Sequence, residues 1–95
     1  MKEQLPTMFG SKIMNHIKLL FFATLRDRAG TKSMELDIPS ELTVQGLKNK
    51  ISNEYPNLKE SMSSVLITIN REYAFDEAVI PQDAELAMFP PVSGG

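Results

Sequence analysis

The sequence predicts an α+β domain in which a mixed β-sheet carries one main helix on one face. Three observations carry that expectation. Residues 17 to 23 are apolar on both alternations, as a central strand covered on two sides must be. One long stretch, "ELTVQGLKNKISNEYPNL", repeats its apolar residues at helical spacing. Four other stretches alternate apolar and polar residues or are bounded by turn signals, as strands are.

The elements follow in order. In the first strand, Ile17, Leu19, Phe21 and Ala23 share one face, and Leu20 and Phe22 share the other. "TLRDRAG" reads as a short turn ended by Gly30. From Ser33 to Ile38 the chain alternates cleanly, with Met34, Leu36 and Ile38 against Glu35 and Asp37. This is a half-buried hairpin partner of the first strand, and Pro39 ends it. Thr43 is placed to cap the helix, with Leu42 before the cap and Leu47 after it able to form a hydrophobic staple. Val44, Leu47, Ile51 and Tyr55 make the apolar face, and Pro56 stops the helix at Tyr55. "VLITIN" sets Val65, Ile67 and Ile69 against Leu66, Thr68 and Asn70. A tight turn near Asn70 and Arg71 leads into "REYAF". "IPQDAE" is a further turn, and "ELAMF" is the last strand, with Leu86 and Met88 on one side and Ala87 and Phe89 on the other.

The order is β-β-α-β-β-β. A right-handed crossover through the helix places the first and last strands side by side and parallel. One helix on one face of such a sheet is the ubiquitin-like β-grasp arrangement. The domain is expected over residues 15–89, after a flexible extension at 1–14 and before an extended tail at 90–95. Because one helix covers one face, Leu20, Phe22, Ala87 and Phe89 are expected to form an apolar patch on the other, where a partner would dock.

Composition narrows the function. At 95 residues the chain makes one domain with a modest core. With 42% hydrophobic and 23% charged residues it is an ordinary globular sequence and not a disordered one. A net charge of -2 with no Lys/Arg cluster argues against a nucleic-acid partner. The longest apolar run, "IKLLFFATL", is too short to cross a bilayer, and "MKEQLPTMFG" lacks the apolar core of a signal peptide. A cytoplasmic protein with no membrane partner is therefore expected. Cysteine is absent, which excludes disulfides, thiolate metal sites and a cysteine nucleophile. The one histidine, His16, makes no His-based metal cluster alone and is expected to be solvated just before the first strand. No side-chain constellation suggests catalysis, so the chain is expected to be inactive alone.

At the front, "IKLLFFATLRDRAG", and at the end, "MFPPVSGG", the sequence resembles the small, sulfur-carrying subunits of molybdopterin synthase, which belong to the ubiquitin-like superfamily. "ELTVQGLKNKI" and "ITINREY" fall where those subunits have their helix and third strand. The resemblance implies that the terminal carboxylate of Gly95 is the reactive group. It implies two partners: an ATP-dependent adenylyltransferase that uses ATP and magnesium to activate that carboxylate, and the large subunit of molybdopterin synthase. No cofactor or metal is implied to stay bound to the chain. The activated end becomes a thiocarboxylate and gives its sulfur to cyclic pyranopterin monophosphate in molybdenum cofactor biosynthesis, within a heterotetramer. The resemblance also marks Phe22, Phe89 and Arg26 as partner contacts, although Arg26 reads equally as a solvated turn residue.

The tail suits this role physically. Gly94 and Gly95 have no side chains to obstruct a narrow channel. Pro90 and Pro91 stiffen an extended lead-in through Val92 and Ser93. From Pro91 onward the chain reaches at most about 18 Å. Two alternatives stay open: a ubiquitin-like protein modifier, and a sulfur carrier for thiamine or tRNA thiolation.

Overall fold

Strand β1 (Met14–Phe21) is the axis of the sheet. In the computed structural model, which describes residues 13–91, its buried positions alternate through Asn15, Ile17, Leu19 and Phe21. The segments at 1–12 and 92–95 lie outside the described residues, and with them most of the expected extension and Val92, Ser93, Gly94 and Gly95 of the expected tail.

On one side of β1 runs β2 (Ser33–Pro39), antiparallel, with Met14 opposite Pro39 and Leu20 opposite Ser33. On the other side runs β5 (Glu85–Phe89), parallel, with Leu20 beside Ala87 and Phe21 beside Met88. Beyond β5 lies β3 (Leu66–Ile69), antiparallel, with Leu66 opposite Phe89. The two-residue β4 (Glu72–Tyr73) closes the far edge. The sheet order is β2-β1-β5-β3-β4, so the first and last strands are parallel neighbours at its centre, as expected.

Helix α1 (Thr24–Ala29) follows β1 directly, and helix α2 (Val44–Glu54) crosses the sheet. Two 3-10 turns, Pro56–Leu58 and Glu60–Ser63, continue the chain to β3. In α2, Thr43 accepts a hydrogen bond at Oγ1 from the Gly46 N–H at 3.1 Å. A side chain at position 46 would bring a Cβ within 2.5 Å of Leu42 Cδ1, so glycine lets Leu42 lie over the first turn and pack on the core. Val44, Leu47 and Ile51 are fully buried against β-sheet residues such as Ile17, Leu19 and Leu86. Tyr55 is the C-cap and Pro56 begins the next turn.

Three local expectations are corrected. "TLRDRAG" is a helix rather than a turn, because it must drive Leu25, 1% exposed, into the core. Gly30 ends α1 in the left-handed conformation (φ 77°), its N–H donating to the Arg26 carbonyl. Strand β1 also begins three residues earlier than expected, at Met14. Asn15 is buried there because its Nδ2 donates to the Ile80 carbonyl at 3.0 Å. At the other end Ala23 is exposed and does not share the core face with Phe21, because its positive φ of 55° turns the chain out of the strand. The hairpin between β3 and β4 does use Asn70 and Arg71, both at positive φ (50° and 76°), as a two-residue turn requires.

His16 lies within β1 and is clamped on the sheet surface. Its Nε2 meets Glu35 Oε1 at 2.7 Å and its Nδ1 meets Asp37 Oδ1 at 2.8 Å, both from β2. Both nitrogens donate only when the ring is protonated. The Glu35 carboxylate first, and then Asp37, hold its pKa above the ordinary 6.5.

Two outcomes are expected. Replacing Thr43 with alanine removes the cap and lowers stability by about 1 kcal/mol in chemical denaturation. Because the folded pKa of His16 is raised, its clamp stabilises fully below pH 6.5 and is lost as pH rises through the folded pKa. The melting temperature of the wild type should therefore exceed that of His16→Gln at pH 5.5, and the gap should close in alkali. A gap independent of pH would remove the clamp from the account.

Candidate interaction face and chain exit

The side of the sheet away from α2 is built from strand alternation. Leu20 on β1, Ala87 on β5, Thr68 on β3 and Tyr73 on β4 lie in direct register and form one row across it. Above that row sit Phe89 and its partner Leu66. Phe22 joins them because its N–H donates to the Met88 carbonyl at 3.2 Å, extending the parallel ladder one step past β1. The Phe22 and Phe89 rings stack with centroids 4.7 Å apart and planes 12° apart.

The structure therefore brings Leu20, Phe22, Ala87 and Phe89 together, around a concavity of about 470 Å³ that Thr68, Arg71 and Glu85 complete. Phe22 is 40% exposed and Leu66 38%, whereas Leu20 and Phe89 are half-buried. Ala87, at 8%, forms the floor and presents little surface. Arg26 stands on α1, exposed, and lines an adjoining hollow with Lys18 and Lys32 beside Leu20 and Phe22.

Sequence reading missed Leu66, Arg71, Lys18 and Lys32 as parts of this region. Alternation placed Leu66 and Thr68 opposite Ile67, but only the register of β3 on β5 carries them next to Phe89. The apolar centre is thus ringed by four cations, Lys18, Arg26, Lys32 and Arg71, with Glu85 among them, in a chain whose net charge is -2.

The chain leaves the sheet at the margin of this face. Pro90 is half-buried and Pro91 exposed. Neither has an N–H to continue the ladder, so β5 stops at Phe89. Val92, Ser93, Gly94 and Gly95 lie outside the described residues. Among the described residues no group of three His, Asp or Glu side chains could hold a metal ion. The single imidazole is occupied by Glu35 and Asp37, and among the described residues no hydroxyl bonds to it. Among them, too, no helix is long and apolar enough to cross a membrane. The arrangement offers an exposed apolar surface beside the point where β5 ends.

Comparison with known proteins places this architecture. The chain is 38% identical over 79 residues to the molybdopterin synthase sulfur carrier subunit of Arabidopsis thaliana, covering 83% of this chain and 82% of that one. With the subunit of the same name from Dictyostelium discoideum it shares 34% identity over 84 residues, covering 85% and 98%. The solution structure of small archaeal modifier protein 1 from Methanosarcina acetivorans superposes with a TM-score of 0.73 at 27% identity, covering 87% of this chain and 99% of that one. The fold is the ubiquitin-like β-grasp. The model of the ThiS family matches residues 19–95, from the middle of β1 through the last glycine, and the chain belongs to that family.

Proposed function

We propose that this chain is the sulfur carrier of a molybdopterin synthase and that the carboxylate of Gly95 is its working group. The observation that carries the reading is the pairing of an apolar face, exposed among the described residues, with a chain exit at its margin, in a family whose match runs through Gly94 and Gly95. The named sulfur carrier subunits of Arabidopsis and Dictyostelium support it.

A carboxylate resists attack because neither oxygen is a good leaving group. In the proposed cycle an ATP-dependent adenylyltransferase, using magnesium, joins a Gly95 oxygen to the α-phosphorus of ATP and releases pyrophosphate. Sulfide-level sulfur from a donor then attacks the carbonyl carbon and AMP departs with the former carboxylate oxygen, leaving a thiocarboxylate. The large subunit receives the loaded end and supplies the side chains for sulfur transfer to cyclic pyranopterin monophosphate. Two such transfers build the dithiolene. The chain's own part is to dock by Leu20, Phe22, Leu66 and Phe89, with Arg26 and Arg71 at the margins. It then delivers an end slim enough, at Gly94 and Gly95, to enter a closed pocket.

The likeness to an archaeal modifier protein favours a second reading. The same acyl-adenylate would then be captured by a lysine amine of a target protein, which forms an amide as AMP and a proton depart.

Adding one residue after Gly95 should abolish both loading and pterin sulfuration while the melting temperature stays unchanged. Sulfuration by the extended protein would exclude the terminal-carboxylate mechanism, and a stable conjugate to a target protein would favour the modifier. Placing a charge in the face, Phe89→Asp, should weaken binding to the large subunit at least tenfold, or about 1.4 kcal/mol, by calorimetry.

A further inference from the structure

We propose that Phe22 is a positioning residue that aims the terminal arm, acting through its stack on Phe89. The inference rests on the sulfur-carrier reading for its consequence but not for its geometry. Phe89 is the last residue of β5, and Pro90 and Pro91 follow it without N–H groups. No further ladder hydrogen bond from these two residues can steer the chain. Phe89 is therefore the last residue held in the ladder before the arm, and its side chain stacks on the Phe22 ring, 4.7 Å away and 12° from parallel.

A second observation bears on Phe22 itself. It is not a core residue, being 40% exposed, yet the backbone around it is tightly specified. Its N–H is bonded to the Met88 carbonyl and its own carbonyl accepts from the Leu25 N–H at 3.1 Å, which ties it to β5 and to the start of α1 at once. The next residue, Ala23, holds φ 55° and ψ -130°, a region that an L-residue enters only under constraint. This turn brings the chain out of β1 with the Phe22 ring over Phe89, away from the core that Phe21 and Leu25 enter on either side.

Pinning Phe89 at both its backbone and its ring limits the directions in which Pro90 and Pro91 depart. The arm then begins from a narrow set of orientations, and less freedom is lost when its end is placed beside an acceptor. Phe22 thereby has a task beyond contact with a partner. A contact residue affects how tightly the carrier binds; a positioning residue affects what happens once it is bound.

The test separates these roles with Phe22→Ala, Phe22→Leu and Phe22→Trp in the full chain. In the free protein, amide and ring relaxation are measured for Phe89. In the complex with the large subunit, single-turnover sulfur transfer is measured at saturating carrier. The expected result is a loss of order at Phe89 in Phe22→Ala and a fall of about tenfold or more in the saturated transfer rate. Phe22→Leu, which keeps apolar volume without the ring, should resemble the alanine variant, and Phe22→Trp should restore both readouts. Unchanged Phe89 relaxation, or a defect that disappears at saturation, would overturn the proposal. If Phe89 order falls while the wild type transfers no sulfur to the pterin, the positioning role stands and the sulfur-carrier reading fails.

Discussion

The parallel pairing of β1 with β5 is the constraint on which the other features depend. It places the final strand in the middle of the sheet, between β1 and β3, rather than at an edge. Leu19, Leu86 and Met88 are then sealed beneath α2, and each shows no exposed surface. The same pairing sets Leu20 beside Ala87 and carries Phe22 alongside Phe89 on the opposite side. A strand held in this way cannot fray at low cost, so the chain end departs from a fixed point. An edge position would have put that point beside open backbone groups, prone to pairing with other chains.

The second consequence is asymmetry of cover. One eleven-residue helix and a six-residue helix pack on the inner surface, and the outer surface keeps its aromatic residues in solvent. A small domain that leaves such a patch open risks self-association. Here the patch is bounded by Arg26, Lys32 and Arg71, and by Lys18 between Glu35 and Glu85 on the neighbouring strands, so a partner surface that brings carboxylates meets cations at its margins. The lower part of the same surface is more polar, with His16 held between Glu35 and Asp37. The outer surface is thus divided into an apolar upper part near the chain exit and an ionic lower part that ties β2 to β1.

How much of this was legible in the sequence depended on whether a feature was local. Thr43, Leu47 and Ile51 declared α2, because a cap and an apolar stripe lie within a few turns of one another. Asn70 declared the hairpin, since that turn needs a residue that tolerates positive φ. Alternation alone put Leu20 and Phe22 opposite Leu19 and Phe21. Helix α1 escaped notice because six residues with a single buried leucine do not establish a period. Asn15 hid the start of β1, since nothing nearby shows that its amide will find the Ile80 carbonyl 65 residues away. Leu66, Arg71 and the clamp on His16 were invisible for the same reason: each depends on which strands become neighbours and in which register.

What remains is the claim that a main-chain acid, and no side chain, does the work. Intact-mass and fragmentation spectrometry of the native chain, loaded by its activating partner and a sulfur donor, addresses it directly. The expected result is that one oxygen of the Gly95 carboxylate is exchanged for sulfur. Sulfur localised to any other residue would contradict it.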